Sequence, residues 1–138
     1  MNNHNRNIVW LASYPKSGNT WFRILLSNYL SESNTPININ EINTARIASS
    51  RTLFDEIVGV HSSDLSFEEI MQLRPFVYKK VAMDATDTVF LKVHDSWQLN
   101  TNGHELFPKC ITKGAIYIIR NPLDIAISIA NHNGISIK

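Results

Sequence analysis

The feature that most constrains the fold is a short apolar segment, Ile8–Ala12, that leads directly into a turn and a helix. Short apolar runs of this kind are typical of strands that are buried on both faces of a parallel sheet. Pro15 and Gly18 then end the strand and form the turn. Asn19–Leu30 follows as a predicted helix, with Asn19 or Thr20 as its N-cap. The residues that recur there at helical spacing are Trp21, Ile24, Leu25 and Tyr29.

Two further segments have the composition of buried strands. Val89–His94 ends in a histidine, and Gly114–Ile119 is followed by Arg120. The second of these segments leads into another predicted helix, which Asn121 caps and in which Pro122 takes the first position.

The part of the chain between the first two strands is predicted to contain loops and helices. Residues 31–43 are polar and rich in asparagine, which favours a loop, and a short helix is assigned within residues 44–60. A capping box formed by Ser66 and Glu69 begins the next helix, and Pro75 starts or kinks a further helical piece. Strands that alternate with helices predict an α/β fold with a mainly parallel sheet.

Composition limits what the chain can do. Its 138 residues suit a single domain, and a formal net charge of +1 with scattered Lys and Arg gives no basic face for nucleic acid. The single cysteine, Cys110, excludes an internal disulfide and fits a reducing compartment. The first apolar run is too short for a signal sequence or a membrane span, so we expect a cytoplasmic protein without a membrane span.

The turn around Lys16 has the groups that bind an anion. A glycine-containing turn between a strand and a helix leaves backbone N–H groups directed at one point, where the helix dipole adds partial positive charge. Lys16 adds a full charge, and Ser17 and Thr20 add hydroxyl donors. The motif is not Walker A, because Lys16 precedes Gly18. An ordinary surface turn is the alternative, but the complete string Y-P-K-S-G-N-T-W favours an anion site.

The second candidate segment surrounds His94. Alternation along a strand places Lys92 and His94 on the same face, with His94 where the strand leaves the sheet. An imidazole, which exchanges its proton near neutral pH, can act there as a general base. A hydrogen-bonded histidine that merely ends a strand is the alternative.

The third candidate segment joins Arg120 to the helix that follows it. Arg120 ends a predicted buried strand, and Ser128 lies eight residues later in the helix. In parallel sheets ligands bind beyond the carboxyl ends of the strands, so Arg120 could pair with a second phosphate. An ion pair with Asp124 or another carboxylate is the alternative, and Ser128 alone is unremarkable.

Taken together and in this order, the three segments resemble the sulfotransferases that use 3′-phosphoadenosine 5′-phosphosulfate (PAPS). Y-P-K-S-G-N-T-W resembles the family's 5′-phosphosulfate loop, and R-N-P-L-D-I-A-I-S resembles its 3′-phosphate motif. K-V-H resembles the family's Lys-x-His element. The resemblance implies a P-loop-like three-layer fold, and it implies that PAPS is the sulfuryl donor.

The resemblance also implies a role for each matching residue. Lys16 would bind the 5′-phosphosulfate and stabilise charge on the bridging oxygen as it leaves. Trp21 would lie near the adenine, although a core anchor for the first helix is the alternative reading of this residue. Arg120 and Ser128 would hold the 3′-phosphate. The remaining ligands of the 5′-phosphosulfate, through backbone and side-chain donors, would be Ser17, Gly18, Asn19 and Thr20.

For the reaction, the resemblance implies in-line transfer of the sulfuryl group to a hydroxyl or amine. His94 would remove the proton from the acceptor, and Lys92 would assist the sulfuryl group. No metal ion is expected in the mechanism. The acceptor would be a small molecule or a carbohydrate, and the sequence does not choose between them.

The sequence departs from the family pattern after Gly134, where we find no counterpart of the basic, glycine-containing segment that closes over the adenine. We therefore expect residues 1–138 to form a single, incomplete sulfotransferase domain. Two alternatives follow: a nucleotide-binding remnant without catalysis, and a P-loop kinase-like phosphotransferase. The position of Lys16 argues against the second.

Overall fold

The computed structural model of the protein describes residues 6–42 and 45–136. The described residues form four strands and four α-helices in the order β1, α1, β2, α2, α3, β3, β4, α4. The strands are β1 (Ile8–Ser13), β2 (Ala45–Ile47), β3 (Val89–Val93) and β4 (Thr112–Ile118). The helices are α1 (Asn19–Leu30), α2 (Arg51–Val58), α3 (Phe67–Asp84) and α4 (Pro122–His132), with short 3-10 turns at Ile39–Glu41 and Ser62–Asp64.

The strands form one sheet in the order β2-β3-β1-β4, and every pairing in it is parallel. The α/β fold with a parallel sheet is therefore confirmed. At the carboxyl ends of the strands, Ala12 lies beside Val93 and Ser13 beside Ile118. The residues that follow β1, β3 and β4 consequently meet at one edge of the sheet, which is where ligands bind in folds of this kind.

Helices cover both faces of the sheet. On one face, the indole ring of Trp10 packs edge-on against Tyr78 of α3, with the ring centroids 5.2 Å apart. Phe107 completes this aromatic core at 4.8 Å from Trp10. Side chains alternate along a strand, so Ser13 points to the opposite face, where it contacts Asn19 at the start of α1. The sheet therefore lies between α1 and α3, and this arrangement places the site residues described below.

Helix α3 begins as the sequence predicts and runs through Pro75 to Asp84. The Ser66 hydroxyl accepts the Glu69 backbone N–H, and the Glu69 carboxylate accepts the Ser66 N–H, which completes the capping box. Pro75 lies inside a single helix and does not start a new one. Pro75 is buried, although its ring removes one backbone hydrogen bond from the helix.

Three details differ from the sequence prediction. The segment 44–60 contains strand β2 as well as helix α2, and Thr44 lies outside the described residues. The N-cap of α1 is Gly18, in the left-handed conformation and without a side-chain cap, so neither Asn19 nor Thr20 caps the helix. The predicted apolar face of α1 is also wrong, since its fully buried residues are polar. Three of the residues that were predicted to form the apolar face, Trp21, Leu25 and Tyr29, are instead 69%, 51% and 83% exposed.

Candidate functional site

The turn between β1 and α1 has an unusual backbone, because two of its residues lie in the left-handed region. Lys16 has a φ of 66° and Gly18 a φ of 99°, so both lie in the left-handed region. Among the described residues, Lys16 is the one non-glycine residue with a positive φ. Turns that contain left-handed residues can line a concavity with backbone N–H groups, and such a concavity suits an anion. Strained residues of this kind cluster at functional sites, which makes the turn a candidate site.

Several hydrogen-bond donors of this turn are left for a ligand. Ser17 donates its backbone N–H to the Tyr14 carbonyl, but its buried hydroxyl has no protein partner among the described residues. Within the same described ranges, the backbone N–H groups of Gly18, Asn19 and Thr20 meet no protein acceptor. A buried hydroxyl without a partner costs free energy, and an anion seated on the turn would satisfy it.

The side chain of Asn19 points into the protein, whereas the sequence predicts that it faces a ligand. Its side chain is buried, and its amide donates to the Leu11 carbonyl at 2.9 Å and to the Ser13 hydroxyl at 3.1 Å. Both amide protons are therefore used inside the protein, which leaves the backbone N–H of Asn19 as the donor it offers to a ligand. The side chain braces the end of β1 against the start of α1.

Arg120 lies beside the turn, as the adjacency of β1 and β4 requires. Its guanidinium donates to the Lys16 carbonyl at 3.1 Å, and its side chain is exposed. No ion pair between Arg120 and Asp124, or any other carboxylate, is found in the described part of the chain. The structure thus brings Arg120 and Lys16 to the same site and leaves the charge of Arg120 free for a ligand.

A cleft of about 490 Å³ opens between this turn and the start of α4. Ser17 and Arg120 are among the residues that line it, together with Tyr14, Tyr117 and mostly aliphatic residues of β4 and α4. Ser128 is half-buried on α4 and is not among the lining residues of the cleft. Trp21 is exposed on α1, which removes the reading of this residue as a core anchor and leaves its ring accessible.

His94 follows the last residue of β3 and is oriented by β1. Its Nδ1 lies 2.7 Å from the Ser13 carbonyl oxygen and 3.3 Å from the Ser13 hydroxyl. A carbonyl can only accept, so the neutral imidazole carries its proton on Nδ1 and keeps the lone pair on Nε2. The exposed imidazole is therefore held in the tautomer that a general base needs.

Lys92 lies on the same face of the sheet as His94, as the alternation predicts. Its Cα partner in β1 is Leu11, two residues before the Ser13 that His94 contacts. Burial, and then the charge of Arg23, lower the pKa of the Lys92 ammonium. Lys92 is half-buried, and neither cleft described here includes it among its lining residues.

A second cleft, of about 650 Å³, adjoins the first. His94 and Asp95 are among the residues that line it, together with several aromatic residues that include Trp97. Tyr14 and Tyr117 line both clefts, so the two share a wall. The edge of the sheet therefore offers two neighbouring spaces, one beside the turn after β1 and one beside the imidazole.

Sequence reasoning missed a buried ion pair next to His94. Arg74 of α3 donates two hydrogen bonds to the Asp95 carboxylate, at 2.9 and 2.8 Å, and one to the Tyr78 hydroxyl at 2.8 Å. This pairing holds the pKa of the Asp95 carboxyl below its usual range. Burial, partly opposed by the Arg74 charge, raises the pKa of Tyr78 to about 12. No local motif marks Arg74, since its partner Asp95 is distant in sequence.

The comparisons with known proteins address the whole of this region. A family model described as "Sulfotransferase domain" matches residues 6–137. Searches of the curated proteins and of the solved structures gave no match. Within the described residues, no helix is both long and apolar enough to cross a membrane, and no cluster of three or more His, Cys, Asp or Glu side chains could hold a metal ion.

Proposed function

The chain belongs to the sulfotransferase domain family, and on that premise we propose that it transfers a sulfuryl group from PAPS to a hydroxyl or amine. The observation that carries the proposal is the contact between the Arg120 guanidinium and the Lys16 carbonyl. The contact supports a site in which the Arg120 cation lies beside the turn that carries the Lys16 cation and the unpaired N–H groups. A nucleotide with anionic groups at both its 5′ and 3′ positions matches that distribution of charge.

The residues present fit the donor. Lys16, the buried Ser17 hydroxyl and the free N–H groups from Gly18 to Thr20 suit a tetrahedral anion such as the 5′-phosphosulfate. Arg120, with Ser128 as its helical partner, is assigned to the 3′-phosphate. The exposed Trp21 ring is assigned to the adenine. When bound, PAPS supplies an activated sulfuryl group, and no metal ion is needed to activate it further.

The residues of the chain would act mainly by positioning and by electrostatic stabilisation. The Lys16 ammonium neutralises charge that develops on the bridging oxygen. Nε2 of His94, with its lone pair directed away from Ser13, accepts the proton of the acceptor hydroxyl or amine. Lys92, whose charge has no carboxylate partner among the described residues, would compensate charge on the sulfuryl oxygens.

The second cleft, beside His94, is the proposed site of the acceptor. A small molecule or a carbohydrate fits its aromatic wall, since both stack on exposed rings. We propose one sulfotransferase domain over residues 1–138 that acts in the cytoplasm.

A thermal-shift comparison tests the donor assignment. We expect 3′-phosphoadenosine 5′-phosphate (PAP), the product that the donor leaves behind, to raise the melting temperature, and we expect Mg·ATP to leave it unchanged. Lys16→Ala should abolish the shift, whereas Lys79→Ala, which removes an exposed lysine from α3, should retain it. Stabilisation by Mg·ATP alone would favour a phosphotransferase and overturn the proposal.

Turnover with labelled PAPS and a panel of phenols, amines and sugars tests the reaction itself. We expect His94→Ala to lower turnover by about 10²–10⁴-fold while PAP binding is kept. The matched control is His104→Ala, because His104 is also exposed and lies in the loop between β3 and β4, away from the residues that follow β1 and β3. Binding of PAP without sulfated product from any acceptor class would instead identify a nucleotide-binding remnant.

A further inference from the structure

The guanidinium of Arg74 lies in the core, although arginine is rarely buried. Its side chain is 7% exposed, and all of its recorded polar contacts belong to α3 and to Asp95. Both arms of the fork meet the two carboxylate oxygens of Asp95, and Nε meets the Tyr78 hydroxyl. Bidentate geometry of this kind adds directional specificity to the energy of an ion pair.

Stability alone gives little reason to keep such a pair. Removing two charges from water costs free energy that their attraction repays only in part, and apolar residues of similar volume often serve as well. What a bidentate pair adds is a defined orientation of the two groups. The group oriented by Arg74 is Asp95, which directly follows the proposed base.

The two neighbouring residues His94 and Asp95 are held from opposite faces of the sheet. The His94 imidazole is tied to the Ser13 carbonyl of β1, and Ser13 is tied in turn to Asn19 of α1. The Asp95 carboxylate is tied to Arg74 of α3. The peptide between His94 and Asp95 is therefore fixed at both ends. Without the α3 contact, the half-exposed Asp95 would turn towards water and the backbone that carries His94 would lose one of its two restraints.

We propose that Arg74 is a positioning residue for the reaction: through Asp95 it fixes the backbone from which His94 presents Nε2 to the acceptor. The inference rests on the proposed function, because it assigns His94 the part of the base. Arg74 touches neither donor nor acceptor in this scheme. Its loss should therefore lower turnover and leave donor binding intact.

The test uses Arg74→Met together with the double variant Arg74→Met/Asp95→Asn, which leaves no buried charge unpaired. We expect each to reduce kcat by about 10–100-fold, the scale of a small misplacement of a catalytic group. The dissociation constant of PAP should change by less than about twofold. Val77→Ala is the matched control, since it removes buried apolar volume from α3 and no hydrogen bond, and it should keep the wild-type kcat.

Nitrogen NMR of the His94 side chain gives a readout that does not depend on turnover. In the wild type we expect the neutral ring to be protonated on Nδ1, and in the two Arg74 variants we expect a mixture that contains the Nε2-protonated form common in water. Folded Arg74 variants with the wild-type tautomer and wild-type kcat would overturn the inference, as would an equal loss of kcat in Val77→Ala. If the wild type makes no product but the tautomer still changes, the proposed function fails, whereas the link by which Arg74 holds the His94 side chain is supported.

Discussion

The left-handed conformation of Lys16 predicts that glycine at this position stabilises the fold while it destroys the donor site. The φ of 66° suits glycine and is strained for any residue with a Cβ atom. We compare Lys16→Gly with Lys16→Ala, because both remove the ammonium and only the second keeps the Cβ atom. The carbonyl that accepts the Arg120 hydrogen bond is present in both variants.

Two opposing terms set the size of the difference. A residue with a Cβ atom loses about 1–2 kcal/mol of stability in the left-handed region, and the glycine variant avoids this loss. Glycine loses about 0.4–1 kcal/mol more in backbone entropy on folding. We therefore expect Lys16→Gly to be more stable than Lys16→Ala by about 0.5–1 kcal/mol, which corresponds to about 2–4 °C in melting temperature for a domain of this size.

Urea unfolding at equilibrium measures the difference, and a helical lysine gives the control. Lys79 is exposed inside α3, where alanine should be more stable than glycine by about 1 kcal/mol. The order of the two variants should thus reverse between positions 16 and 79. If Lys16→Gly were less stable than Lys16→Ala, the turn would not hold a strained residue and the reasoning would be refuted. Both variants should also lose the stabilisation by PAP, which for the wild type is about 2.7 kcal/mol at 100 times the dissociation constant.

Three further predictions concern stability. Arg74 holds the pKa of Asp95 low, so the carboxylate stabilises the fold above about pH 4 and loses that effect as the pH falls; the difference in unfolding free energy between wild type and Asp95→Asn should therefore shrink on acidification in urea titrations. Burial lowers the pKa of Lys92, so its charge opposes folding at neutral pH, and Lys92→Met should raise the melting temperature while it lowers turnover. Ser66→Ala should cost about 1 kcal/mol in chemical denaturation, because it removes the hydroxyl that caps Glu69 at the start of α3, and an unchanged midpoint would contradict the capping role.

Local signals in the sequence predicted the elements that local chemistry determines. Helix α1 has the predicted bounds, Asn19–Leu30, because a strained turn precedes it and a polar loop follows it. Asn121 caps α4 through its side chain, as predicted, and Pro122 occupies the first turn. These features depend on neighbours within a few residues, which a sequence displays directly.

The features that sequence reasoning missed depend on distant contacts. Strand β2 has three residues, too few for alternation to reveal, and it exists because β3 supplies its hydrogen-bond partners. From the sequence alone, an arginine such as Arg74 is expected at the surface. Its burial depends on the contact that α3 makes with Asp95. The structural role of the Asn19 side chain depends on its hydrogen bond to the Leu11 carbonyl of β1, and the sequence does not show that contact.

The polar residues that α1 buries explain one of these errors and relate it to the proposed function. A helix that served only to cover a sheet would bury its apolar residues, yet α1 buries Asn19 and exposes Trp21. Asn19 holds Ser13, and Ser13 orients His94, so the helix that begins at the proposed donor turn also fixes the proposed base. Burying an amide there costs more than burying an aliphatic side chain, and the cost is understandable if donor and acceptor must be aligned across one strand end. The periodicity of α1 misled prediction because its fully buried residues, Asn19 and Ser27, are polar, and Asn19 contributes to the geometry of the site.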